Sequence, residues 1–241
     1  MKEWFRLVNG EYVFAFPRDI VFEPQAALDT LLAIRSCDFE ILGFFKITLQ
    51  DEGMLSLGGL EIPKQEVLDG LGHELHDSLN LGFLQKLLEK GEDPAHYAVF
   101  HSHVRGEAYP SFTDFTTVKD QLILLLDVAM LSRSPEEEVF VGPYMELVFN
   151  VFGQTDARVH FLHKGKGIVG EGASVTKLEA QFPQAELALR QAINTFSHED
   201  RTRRMEIVKR QLRETLIRTR DHRYGYSNPP KRRGQEWLEP L

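Results

Sequence analysis

YAVFHSHVRGEAYPSFTD, residues 97–114, is the stretch on which the reading of this chain turns. Tyr97, Ala98, Val99 and Phe100 have the β-branched and aromatic bias of a short buried strand. On a strand, residues i and i+2 project from the same face, so His101 and His103 point together. Two imidazoles on one face grip a cation from one side, and Asp114, brought back by the intervening loop, can add an oxygen ligand. Three protein ligands leave one tetrahedral position open, which is the arrangement of a catalytic zinc site rather than a closed structural one. Plainer readings exist. Ser111 also reads as a helix N-cap with Asp114 near the positive end of the helix dipole, and a lone histidine pair also reads as a hydrogen-bonded core feature. The whole pattern HxHx7SxxD is far rarer than its parts, and it favours the metal.

Glu40 has a case of its own. It lies in residues 38–49, where Phe39, Ile41, Leu42, Phe44, Phe45 and Ile47 predict a mostly buried strand. A carboxylate in such a run is costly unless it is paired or functional. Taken alone, Glu40 reads as a paired or edge-facing residue. Beside a metal motif it reads as the base that takes a proton from water and returns it to a leaving amine.

Residues 101–114 resemble the JAMM motif of the MPN-domain zinc metalloproteases, down to the Tyr-Pro-Ser step before the serine. Glu40-Ile-Leu-Gly43 is similar to the upstream glutamate of that family, which is followed by small and apolar residues and a glycine. The segment from Gln65 to Gly91-Glu-Asp-Pro94 resembles the family's lead-in to its histidine strand, and the likeness extends over residues 20–165. Val104 stands where eukaryotic members commonly carry proline, which tilts the comparison toward prokaryotic relatives. The resemblance implies an α/β fold: a cytidine-deaminase-like sandwich with a mixed central sheet flanked by helices. It also implies Zn2+ on His101, His103 and Asp114, Glu40 as general base, and Ser111 as hydrogen-bond donor to the oxyanion. The implied reaction is hydrolysis of an isopeptide or peptide bond after the C-terminus of a ubiquitin-like protein. Such an enzyme would serve a bacterial ubiquitination-like pathway, with activating and conjugating enzymes as associates. Two other expectations stand beside it: removal of a small amino-acid adduct from a sulfur-carrier protein, and a non-catalytic MPN scaffold. The intact five-residue set argues against the scaffold, because assembly does not require an open metal site.

Other chemistry-bearing residues are weaker candidates. His73 and His76 are three apart, whereas a zincin helix needs its histidines at i and i+4. His96, His160, His163, His198 and His222 have no ligand spacing and read as surface or satisfied histidines. Cys37 lacks the surroundings of a nucleophile and reads as a small packing residue.

A single cysteine among 241 residues excludes an intramolecular disulfide framework and favours the cytoplasm. No signal-peptide core or membrane-length apolar stretch is present, so no membrane association is expected. Charge is unevenly placed. Residues 201–233 hold 12 Lys and Arg against 3 Asp and Glu, while residues 1–200 hold 16 against 31. So acidic a body argues against general nucleic-acid binding, while the basic arm could touch an acidic partner or a phosphate backbone. The apolar stripe of Met205, Ile207, Val208, Leu212, Leu216 and Ile217 needs burial, on the body or against a second copy as a homodimer through the C-terminal helices. The expected division is a catalytic domain over 1–165, a helical extension over 166–223 and an irregular tail over 224–241. Helices are predicted at 24–36, 81–90, 114–129, 184–194 and 198–220, and strands at 11–16, 38–49, 54–62, 97–103, 144–152 and 158–162.

Overall fold

The structure, a computed structural model, describes residues 4–9, 11–14, 17, 19–37, 39–50, 53–68, 82–83, 85–87, 89–104, 106–110, 112–131, 133–169 and 173–219. Its centre is a seven-stranded mixed sheet of β3 (Asp19–Phe22), β4 (Leu42–Gln50), β5 (Met54–Glu61), β7 (Tyr97–His103), β8 (Val139–Asn150), β9 (Thr155–Lys164) and β10 (Val175–Gln181). The spatial order is β10-β9-β8-β7-β4-β5-β3. The β7–β8 and β3–β5 pairs are parallel and the others antiparallel. Among the described residues two small ribbons complete the strands: β1 (Phe5–Val8) with β2 (Glu11–Phe14), and β6 (Gln65–Leu68) with β11 (Leu216–Thr219). The fold is thus mixed α/β, as expected. Among the described residues no helix is long and apolar enough to cross a membrane.

Because successive side chains on a strand face opposite ways, the sheet buries two separate clusters. On one face Phe45, Phe100, Phe149 and Phe161 pack under α1 (Pro24–Arg35), α3 (Ala185–Ile193) and α4 (His198–Thr215). On the other, Leu42, Phe44, Val99, Tyr144 and Leu162 pack under α2 (Phe112–Met130) and the helical residues Phe83 and Leu87. Helix α1 opens with Pro24 in its first turn, where a missing N–H costs nothing. Helix α4 lays Val208 and Leu212 into the aromatic cluster, and Arg204 forms a two-pronged bond to Asp29 of α1, with both N–O distances 2.6 Å. Val208 and Leu212 of the basic arm's apolar stripe are thus buried within the chain, and Met205 and Leu216 pack partly buried against the same cluster.

Several boundaries differ from the sequence reading. The strand expected from residue 38 begins at Leu42, so Glu40 precedes it. At Ile41 a side chain replaces the usual ladder: its N–H donates to Ser102 Oγ at 3.0 Å, while its carbonyl accepts from the Ser102 N–H. The helix expected to reach residue 220 stops at Thr215, and the chain continues as β11 alongside β6. Strand β8 starts at Val139 rather than at 144, because the sheet absorbs the Gly142-Pro143 step as a register shift between Val141 and Tyr144. Gly142 has φ 116°, and a Cβ there would lie 2.8 Å from the His160 carbonyl oxygen, so the position requires glycine. Strands β1, β3, β6 and β10 were not anticipated. β10 consists of half-buried and exposed residues at the sheet edge and carries the polar sequence VTKLEAQ, which lacks the apolar run of a buried strand. His73 and His76 lie outside the described residues, as does the tail over 224–241.

Candidate metal centre

Strand β7 lies between β4 and β8. Its alternation sends Ala98 and Phe100 into the aromatic cluster and Val99 toward α2, so His101 and His103 emerge on the α2 side at the carboxyl end of the strand. Their Nε2 atoms are 3.2 Å apart, with ring centroids at 5.0 Å and planes inclined by 50°. Two lone pairs at that separation repel, so a proton or a cation belongs between the nitrogens. The Nδ1 atom of His103 lies 3.1 Å from the Glu107 carbonyl oxygen. A carbonyl only accepts, so His103 donates from Nδ1 and, when neutral, keeps its Nε2 lone pair. Two Zn–N bonds of about 2.0–2.1 Å at a tetrahedral angle hold their nitrogens about 3.3 Å apart. The spacing and donor chemistry of the histidine pair therefore fit a zinc ion.

The remaining ligand position is only partly described. Asp114 falls in the first turn of α2, but its side chain lies outside the described residues, and Ser111 lies wholly outside them. Among the described residues no group of three or more His, Cys, Asp or Glu side chains forms a metal site. The placement of Glu40 follows from register. Leu42 pairs with His101 across β4 and β7, and Ile41 and Ser102 are joined by two hydrogen bonds, so the chain reaches Glu40 beside His103. Glu40 is half-buried and its Oε2 is shielded from solvent. A carboxylate screened from water at the strand end that runs alongside the histidine strand suits proton transfer.

Gln65 steadies this corner. Its buried amide accepts from the Leu42 N–H at 3.0 Å and donates to the Leu42 carbonyl at 2.8 Å, standing in for a neighbouring strand. The loop after His103 is tied down from β8 and β9. Asn150 Nδ2 donates to the Gly106 carbonyl at 3.1 Å, and the Arg158 guanidinium lies 4.8 Å from the centre of the Tyr109 ring.

Beside His101 runs a chain of charged groups that the sequence reading missed. Glu146 Oε1 lies 3.9 Å from His101 Nδ1, and its Oε2 lies 3.7 Å from His160 Nε2. His160 Nδ1 lies 3.2 Å from Glu179 Oε2, and Glu179 Oε1 accepts from Arg158 at 2.8 Å. Arg158 also grips Asp156, at 2.7 and 3.3 Å. His160 is 0% exposed, so it is a buried member of this chain rather than one scattered histidine among others. The His160 imidazole 3.2 Å away, reinforced by Arg158 and Lys177, outweighs desolvation and brings the Glu179 carboxyl down to about 2. Burial opposes the Arg158 charge, yet bonds to Asp156, Tyr109 and Glu179 hold its pKa above the usual guanidinium range. A signal for Glu146 was present. It interrupts the apolar run of Tyr144, Met145, Leu147 and Val148, and the argument applied to Glu40 applies to it equally. His163, by contrast, pairs with Glu138 at 2.9 Å away from the histidine pair, and Cys37 packs against the aromatic cluster. No family model and no curated protein matches the chain.

Proposed function

We propose that this protein is a zinc-dependent isopeptidase or peptidase with an MPN-type sandwich fold, acting after the C-terminus of a ubiquitin-like protein. The observation that carries the reading is the pair of Nε2 atoms 3.2 Å apart at the end of β7, with the shielded carboxyl of Glu40 reached from β4 alongside. His101, His103 and Asp114 would hold the zinc. When bound, zinc supplies Lewis acidity, activating water and polarising the carbonyl of the scissile bond.

The chain's own residues account for the proton movements. Glu40 accepts one proton from the attacking water as the water oxygen bonds to the carbonyl carbon. Ser111 donates a hydrogen bond to the oxygen that becomes negative. The carbon–nitrogen bond then breaks, and Glu40 passes its proton to the departing amine, which regenerates the carboxylate. The Gln65 amide and the Ser102 hydroxyl hold the backbone that carries Glu40, so the base is placed by hydrogen bonds on both sides of its strand end.

Two measurements on the purified full-length chain test this. Metal analysis after dialysis against zinc should give one ion per chain for the wild type and none for His101→Ala. A fusion or isopeptide conjugate of a ubiquitin-like protein should be cut after its C-terminal residue, and the activity should vanish with a chelator and return with added zinc. A wild-type chain that takes up no zinc, or cuts equally well with chelator present, overturns the proposal.

A further inference from the structure

We infer that Glu146, backed by His160 and Glu179, is a positioning residue for His101; this rests on the metal reading of the histidine pair. The argument begins with what the two imidazoles need. To act as ligands through Nε2, both must carry their proton on Nδ1, and each Nδ1 then requires something negative facing it. For His103 that group is the Glu107 carbonyl at 3.1 Å. For His101 it is the carboxylate of Glu146, whose Oε1 lies 3.9 Å from Nδ1. That distance exceeds a hydrogen bond, so the coupling is electrostatic. A negative charge facing Nδ1 favours the tautomer with the proton on that side, and it leaves the Nε2 lone pair facing His103.

The location strengthens the assignment. Glu146 is 5% exposed and sits in an apolar strand, where a carboxylate with no use would be costly. The parallel pairing of β7 with β8 sets Glu146 opposite Val99, two residues before His101 and on the same side of the sheet. Behind it His160 stands between the two carboxylates, 3.7 Å from Glu146 and 3.2 Å from Glu179, and Arg158 holds Glu179 in turn. Arg158 reaches from the same chain of charges to Tyr109, in the loop that leads from His103 toward Asp114. A single patch of charged groups on β8, β9 and β10 therefore lies against both one candidate ligand and the loop that carries the chain to another.

The test reads the tautomer and the metal separately. In 15N-labelled, metal-free wild type, a long-range proton–nitrogen spectrum, assigned with His101→Gln, should show His101 protonated on Nδ1. Competition with a chromogenic chelator should show zinc affinity lowered roughly 10- to 100-fold in Glu146→Leu, with Glu146→Gln, which retains an acceptor oxygen, falling between it and wild type. Wild-type His101 protonated on Nε2, or a Glu146→Leu affinity within about twofold of wild type, overturns the inference while the metal reading stands. A wild type that binds no zinc sinks both together. If Glu146→Leu does not fold, the wild-type spectrum and the Glu146→Gln affinity decide the matter.

Discussion

The two faces of the central sheet are made by the same strands and do different work. On the face under α1, α3 and α4, Phe45, Phe100 and Phe149 meet with ring centroids 5.2 to 6.3 Å apart in tilted and edge-on contacts. On the face under α2 the apolar packing of Leu42, Phe44, Val99 and Tyr144 gives way to His101, Glu146, Arg158 and His160. Among the described residues the first face gathers thirty buried apolar side chains and the second twelve, so within them apolar burial is concentrated away from the histidine pair. Phe100 and His101 are neighbours in sequence yet belong to opposite regimes. A sheet anchored strongly on one side tolerates a buried charged cluster on the other, which would be costly in a core that had to supply the folding free energy alone.

Substitutions that touch one face at a time sharpen this contrast. The largest effect is expected at the histidine face. Glu40→Gln should lower turnover of a ubiquitin-like conjugate by roughly 10²- to 10⁴-fold, the span of a positioned acid–base group, with zinc content and urea midpoint unchanged. Near-normal turnover would remove Glu40 from the reaction. On the aromatic face, Phe149→Ala should cost about 3–5 kcal/mol in urea denaturation, because it opens a cavity among Phe22, Phe45 and Phe100. The protein that remains folded should bind zinc as wild type does. Loss of zinc affinity there would show that the faces are coupled.

The smallest effect concerns pH. The Glu179 carboxyl is held at about 2, below its ordinary 4.5, chiefly by the adjacent His160 imidazole. A depressed carboxyl stabilises the fold at pH values above its unfolded pKa and loses that contribution as pH falls through the folded one. The stability gap between wild type and Glu179→Gln should therefore be full at pH 7 and close between 4.5 and about 2. Its size should be on the order of 1 kcal/mol, since the side chain is 32% exposed and screened by solvent. Urea titrations at neutral and acidic pH would show it; a gap that widens in acid would contradict the pairing.

Much of the architecture was legible where side-chain periodicity is strong. β7, α1, α2 and α3 carry clear apolar patterns and formed close to their expected limits, and the β8–β9 hairpin formed with β8 starting five residues earlier than expected. The failures have local causes. Glu40 precedes its strand because Ser102 supplies the hydrogen bond that a ladder would have given to Ile41. Residues 216–219 extend as a strand because β6 offers a parallel partner, though their pattern continues the helical stripe of α4. β10 is polar because it is an edge, and an edge strand needs no continuous apolar run.

The sequence by itself determined that His101 and His103 share a face, since side chains alternate along any strand, and that Glu40 sits in an expensive place for a carboxylate. Only the tertiary structure decided that their Nε2 atoms approach to 3.2 Å and that Glu146, His160 and Glu179 line up behind His101. Those residues and His101 lie on four strands, β7 to β10, of which β7 and β8 are separated by the long connection that carries α2. Their meeting depends on strand order and register, which follow from how the whole sheet packs and not from any local pattern.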